Sequence, residues 1–278
     1  MRPIAIPSSI QKLWQVNLAP AEETIAQIQN NYAQMPKGAI EISIVIPAYN
    51  EEKNILRTLL SLTSNITARP VEIIVVNNNS KDNTESLVRA AGVKCVLETK
   101  QGITAARNAG LAVATGNYIL NADADSIYPA DWIELMTAPL AQNNVSLTYG
   151  RFAFIPTGKT SRFSYFFYEH AADIIRAINK TFREEAVNVY GFNSGYRREQ
   201  GLAVNGYDHP PGTNEDGWLA VKLRNHGFGK LHCVNDSRAM VWTADRRIEL
   251  DGGLWRAVFL RAKRVLIPSK EVVIRKDL

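Results

Sequence analysis

Cysteine, long apolar runs and low-complexity stretches are all scarce in this chain. Cys95 and Cys233 are the only two cysteines in 278 residues, too few for a disulfide framework, and the first residues lack an unbroken apolar stretch leading to a small-residue cleavage site. These absences predict a reducing, cytoplasmic compartment. The longest apolar runs, such as Ile44 to Ile46 and Ile73 to Val76, fall far short of the ~20 residues that a membrane-spanning helix needs. With 17 glycines and 12 prolines, fibrous and low-complexity classes are excluded. His170, His209, His226 and His232 are scattered without metal-ligand spacing, although His232 or the Trp242-Thr243 region remains available to a metal. No G-x-G-x-x-G follows the first strand, which disfavours a dinucleotide-dependent dehydrogenase.

What is present is an ordinary globular composition, 46% hydrophobic and 21% charged, with 32 Lys and Arg against 27 Asp and Glu. The surplus of +5 suits an anionic partner without naming it. Residues 1–40 read as a leader punctuated by Pro3, Pro7, Pro20 and Pro36, with one short helix carrying Ile25, Ile28 and Tyr32 at helical spacing. From Glu41 strands and helices alternate. Strands are expected at 42–46 (ended by Pro47), 71–76, 93–97 and 117–120, and helices at 51–62, 82–91 and 104–114. This order predicts an α/β fold: a mostly parallel sheet with helices on both faces and a ligand site at the carboxyl ends of the strands. Further helices are expected at 131–142, 163–179, 215–226 and 254–266, with short strands near Leu147, Phe152 and Met240.

Polar motifs cluster at the expected strand ends. Asp123 and Asp125, at i and i+2 after a strand, project to one side and offer the hard oxygen ligands that Mg²⁺ or Mn²⁺ needs beside phosphates. Pro47-Ala48-Tyr49-Asn50-Glu51 ends the first strand; Asn50 and Glu51 suit a helix start, and Tyr49 suits one wall of a nucleoside slot. Asn77-Asn78-Asn79 suits a left-handed turn and a cap, or reads the edge of a base. In Gly102 to Gly110, small residues suit close helix-to-sheet packing, while Arg107 and nearby Lys100 are cations for anionic groups. Asn214-Glu215-Asp216 precedes a helix, so Asn214 suits a cap and the acids suit the helix dipole.

Taken in order, V-I-P-A-Y-N-E, V-V-N-N-N-S-K-D-N-T, G-I-T-A-A-R-N-A-G and D-A-D, followed by G-F-N-S-G-Y-R-R, G-Y-D and E-D, closely resemble family 2 glycosyltransferases, which have the GT-A fold. The resemblance covers roughly residues 41–230. It implies that Pro47, Ala48, Tyr49 and Glu51 line a nucleoside, that Asn78 with Asn79 faces the base, and that Lys100 and Arg107 lie near the nucleotide. It implies that Asp123 contacts ribose or metal, that Asp125 holds a Mn²⁺ or Mg²⁺ carrying the diphosphate, and that Asp216 takes the proton from the acceptor hydroxyl, with Glu215 beside it. Asn193 and Trp218 become candidates for contact with acceptor or sugar. The implied activity is inverting transfer of one sugar from a nucleoside diphosphate sugar, a UDP-sugar by default, to a glycan or lipid-linked hydroxyl in cell-envelope polysaccharide synthesis; nucleic acid is not an expected partner. The other classes considered are a catalytically silent nucleotide-sugar binding protein of the same fold and a nucleotidyltransferase, which the lack of a Gly-rich, basic triphosphate loop disfavours.

Three departures from the family pattern stand out, one being Trp218 at a position after the E-D pair that is often acidic. Asn77-Asn78-Asn79-Ser80 replaces the common Asp-Asp-Gly-Ser, and the Q-x-x-R-W signature of processive synthases is absent, which implies single-sugar addition. The expected division is a leader (1–40), a GT-A domain (41–245) with a nucleotide half (41–126) and an acceptor half (127–245), and a basic tail (246–278). In that tail aromatic and aliphatic residues alternate with Arg256, Arg261, Lys263 and Arg264, a pattern suited either to a terminal helix packing its apolar face on the core or to peripheral contact with the inner face of an anionic membrane.

Overall fold

The computed structural model describes residues 2–18, 20–250, 252–254 and 256. The expected helix over 254–266 lies almost wholly outside these residues.

Seven strands form the main sheet in the order β3-β2-β1-β4-β8-β6-β9. These are β1 (Ile42–Ala48), β2 (Val71–Asn77), β3 (Lys94–Leu97), β4 (Tyr118–Asn121), β6 (Val145–Gly150), β8 (Ser194–Arg197) and β9 (Lys230–Val234). All run parallel except β8, which is antiparallel to both β4 and β6. A small second sheet joins β5 (Ser126–Ile127), β10 (Val241–Ala244) and β7 (Phe152–Ile155) in the order β5-β10-β7.

Both faces of the main sheet are covered, as strand alternation demands. On one face Ile42, Ile44 and Ile46 pack with Ile55 and Leu59 of α3 (Ile55–Thr63), Val88 of α4 (Thr84–Ala90) and Trp132 and Met136 of α6 (Trp132–Thr137). On the other, Val45, Ile74 and Val76 meet Ala106 and Leu111 of α5 (Ile103–Val113) and Leu219 and Leu223 of α9 (Glu215–Asn225). Gly110 lets α5 lie close to the sheet, since a methyl there would collide with Val45.

Pro47 does not end its strand as expected: it pairs with Val76 inside β1. The missing N–H does no harm there because β4 pairs with β1 only as far as Val45, leaving that side of Pro47 without a ladder partner.

The described residues of 1–40 form two helices rather than the one expected, α1 (Ser8–Trp14) and α2 (Ala21–Gln34). Ile28 of α2 is fully buried in the first core, and the Tyr32 hydroxyl accepts a hydrogen bond from the Ile73 N–H at 3.0 Å. The remaining helices are α7 (Arg162–Phe182), α8 (Arg198–Ala203) and α10 (Arg246–Leu250). Cys95 and Cys233 are free and half-buried. No helix among the described residues is long and apolar enough to cross a membrane.

Candidate active site

The ends of β1, β2 and β4 open side by side, and the D-A-D turn follows β4. Ala124 faces the core at 4% exposure, so Asp123 and Asp125 on either side of it face outward. The Thr58 hydroxyl holds the turn against the carbonyls of Ala124 and Ser126, both at 2.9 Å. Tyr128 accepts from the Asp123 N–H at 2.8 Å and donates to the Phe192 carbonyl at 3.1 Å. One phenol therefore ties the acidic turn to the Gly191-Phe192-Asn193 segment.

Glu215 and Asp216 stand in the first turn of α9, where the Asn214 side chain accepts from the Gly217 N–H at 2.9 Å. The capping role read from the sequence is therefore present. It is not the whole account, because both carboxylates are buried and turn toward Arg107. Arg107 Nε lies 3.4 Å from Asp216 and 3.5 Å from Glu215, and its Nη2 lies 3.3 Å from Asp123. The expectation that Arg107 offers its charge to a bound nucleotide is thus corrected: only 2% exposed, its guanidinium is surrounded by carboxylates of this chain. Burial, with the negative charges of Glu215 and Asp123, holds the Asp216 carboxyl well above the usual aspartate range, against the opposing pull of Arg107. Gly191 belongs to the same contact, since a methyl there would collide with Arg107 and Asp216.

A second cluster was not legible in the sequence. Arg246, just after β10, places Nη2 2.8 Å from Glu51 Oε1 and 3.1 Å from Asp125 Oδ2. Asn54 bonds both Glu51 and Arg57, and Arg57 stacks on the Trp14 ring of the leader at 3.5 Å. Burial lowers the Arg57 guanidinium to about 10, opposed by Asp125 and Glu51 and aided by Arg246. Arg246 counted in the sequence only toward a basic tail; it is brought here by the pairing of β10 with β5, the strand directly after the D-A-D turn, Thr243 opposite Ser126, which no local sequence signal announces. His232 instead pairs with Thr148 at the far edge of the sheet.

Among the described residues no three His, Cys, Asp or Glu side chains converge as a ligand set. Mg²⁺ and Mn²⁺ sites that work on phosphates need only one or two carboxylates, the substrate supplying further oxygens. Glu51 and Asp125 already share one cation, the Arg246 guanidinium, so their charge and position fit such an ion.

The other expected residues divide. Tyr49 is 49% exposed beside the buried end of β1 at Ala48, and Lys100 is exposed. Asn79 adopts a left-handed turn (φ 62°) and accepts from Lys81 Nζ at 3.1 Å. Asn78 is buried with its amide in use: Nδ2 donates to the carbonyls of Glu98 and Lys100, and Oδ1 accepts from the Gly102 N–H. It does not face a base as expected but fixes the loop carrying Lys100. Asn193 is likewise corrected. At 1% exposure its amide accepts from Trp132 Nε1 and donates to the Arg151 carbonyl, leaving no edge for an acceptor. Trp218 is half-buried on the first turns of α9.

Comparison with known proteins follows the same geometry. The model of the family described as glycosyl transferase family 2 matches residues 43–200, more than half of the chain. An Escherichia coli UDP-Glc:alpha-D-GlcNAc-diphosphoundecaprenol beta-1,3-glucosyltransferase is 31% identical over 118 residues, 41% of this chain and 46% of that protein. Glycosyltransferase AglE of Haloferax volcanii is 30% identical over 128 residues, 43% of this chain and 42% of its own. The matched region thus spans less than half the length of these relatives. Among solved structures, the mannosyltransferase of Pyrobaculum calidifontis in complex with GDP-Man and Mn²⁺ superimposes with a TM-score of 0.56 at 20% identity, over 94% of this chain and 76% of that one. The Mycobacterium tuberculosis glucosyl-3-phosphoglycerate synthase with Mn²⁺ and UDP gives 0.53 at 22% identity, over 88% and 84%. At these identities the two structures share the fold.

Proposed function

The chain belongs to glycosyl transferase family 2, and from that premise we propose that it transfers a single sugar from a nucleoside diphosphate sugar to an acceptor hydroxyl with inversion. The observation that carries this reading is the contact of Asp216 with the Arg107 that also holds Asp123. It brings a buried carboxylate of the acceptor half to the acidic turn of the nucleotide half.

In this reading Pro47, Ala48, Tyr49, Asn79 and Lys100 line the nucleotide at the ends of β1 and β2, and Asp123 faces the ribose or the ion. Asp125, with Asp123 and Glu51 nearby, holds Mn²⁺ or Mg²⁺. When bound, that ion neutralises charge on the departing diphosphate. Asp216 accepts the proton of the attacking hydroxyl, and burial, by raising its pKa, makes its ionised form a stronger proton acceptor than an exposed aspartate. Glu215 keeps the guanidinium of Arg107 between the two acids. Attack opposite the leaving group inverts the anomeric carbon.

A UDP-sugar donor and a lipid-linked glycan acceptor are supported by the name of the Escherichia coli relative. Mn²⁺ is supported by its presence beside nucleotides in two structures of the same fold. The basic sequence 254–266 supports work at the cytoplasmic face of the membrane. A mass-spectrometric screen of nucleotide sugars, with and without Mn²⁺, tests the reading. Metal-dependent release of a nucleoside diphosphate from one donor is expected; binding without turnover across the panel would instead indicate a silent nucleotide-sugar binder.

A further inference from the structure

Helix α7 is built inside out. Up to Arg176 its charged side chains are engaged by the protein: Arg162 meets Glu169 at 2.7 Å, Arg2 of the N-terminal segment reaches Glu169 at 3.2 Å and Asp173 at 2.6 Å, and Arg151 and Arg176 approach Asp173 at 3.3 and 3.7 Å; only Lys180, in the last turn, is exposed. Over residues 162–179 the positions facing outward are Phe163, Phe167, Ala171, Ile174 and Ala177, and Lys180, Thr181 and the 80% exposed Phe182 end the helix. Their spacing of three or four residues sets them on one face. Phe163, Phe167 and Ile174 are 60%, 56% and 64% exposed. Single exposed apolar residues are common, but an uninterrupted stripe on a helix whose charges are buried calls for a partner.

We propose that this stripe is a docking surface for an anionic lipid bilayer. Phenylalanines with aliphatic neighbours suit the boundary between headgroups and acyl chains. Exposed cations flank the stripe, Lys159 before the helix and Lys180 and Arg183 at its end, Lys180 also approaching Glu185 at 3.8 Å, while Glu169 and Asp173 are turned inward. Leu254 packs against the cluster that contains Tyr165 and Tyr168 of the same helix. The chain therefore returns to α7 at Leu254, and the sequence that follows is basic, of the same sign as the cations at the ends of the stripe. A second copy of the chain fits less well. From residue 163 to 177 the stripe is roughly 21 Å long and about 10 Å wide, far below the ~800 Å² per partner of a stable interface.

The test is co-sedimentation of the full chain with vesicles of phosphatidylglycerol mixed with phosphatidylcholine, against phosphatidylcholine alone. The parent chain should bind the anionic vesicles and largely ignore the neutral ones. The triple substitution Phe163→Ser, Phe167→Ser, Ile174→Ser should weaken that binding by about tenfold or more, with an unchanged melting temperature. A Phe167→Trp variant should be quenched by brominated lipid. Absence of vesicle binding by the parent, or binding unchanged in the triple variant, overturns the proposal. So does a melting temperature lowered by the substitutions, which would show the stripe packed within the folded protein, or a dimer that they disperse in light scattering.

Discussion

Arg107 Nε lies 3.4 Å from Asp216 Oδ1, and the two side chains are 2% and 11% exposed. Glu215 and Asp123 share the same guanidinium, so one cation serves three carboxylates. Replacing Asp216 by Asn keeps the shape, relieves the excess of negative charge and removes the proton acceptor. Turnover should fall by about 10²- to 10⁴-fold, with donor affinity by calorimetry close to that of the parent. Parental turnover in this variant would remove Asp216 from the mechanism.

The raised pKa of Asp216 has two consequences of fixed sign. A base that must be ionised gives an acid limb in kcat/KM, centred above the usual aspartate value of ~3.9, and activity rises with pH through it. A folded-state pKa above the unfolded one means that the stabilising contribution is full below the unfolded value and is lost as pH rises through the folded one. The Asn variant should therefore match the parent in urea at low pH and gain relative stability as pH increases. A gap that narrows with pH would contradict the direction of the shift.

Gly191 gives a way to disturb this cluster without changing its charges. A methyl at that position collides with Arg107 and Asp216, and the buried guanidinium has little room to retreat. Gly191→Ala should cost about 1–3 kcal/mol in stability and lower turnover at least tenfold by displacing the carboxylate. Urea denaturation and steady-state kinetics on the same preparation check both effects. Parental values in both would show that the cluster yields freely.

Much of this fold is legible in the sequence because strand and helix periods differ. The alternation from Glu41 to Asn121 announces the parallel sheet, and the same periodicity sets the D-A-D pair at the sheet's carboxyl edge. β8 is hidden because Ser194-Gly195-Tyr196-Arg197 is neither an apolar run nor an alternating one: Gly195 packs under Leu120, and Tyr196 is buried against Tyr207. The roles of Asn78 and Asn193 depend on carbonyls 20 and 42 residues away, which no local pattern contains. Arg2 and Trp14 are hidden for a similar reason. Their partners, Asp173 and Arg57, lie far along the chain, so the first 40 residues, in which the sequence shows no chemistry, hold α7 through Arg2 and Arg57 through Trp14.

Arg246 leads to a prediction about metal binding that needs no turnover. Its guanidinium bridges Glu51 and Asp125, so an ion held by Asp125 must displace it or share the carboxylates with it. The side chain is half exposed, and each exposed ion pair of this kind is worth only about 0.2–1 kcal/mol. Arg246→Ala should therefore tighten Mn²⁺ binding by about three- to tenfold in the absence of any donor, read by calorimetry or by water-proton relaxation. Asp125→Asn should weaken the same binding, because it removes an oxygen charge that no neighbour replaces. If Arg246→Ala weakens Mn²⁺ binding instead, the guanidinium does not compete for the site but orders Glu51 and Asp125 to receive the ion.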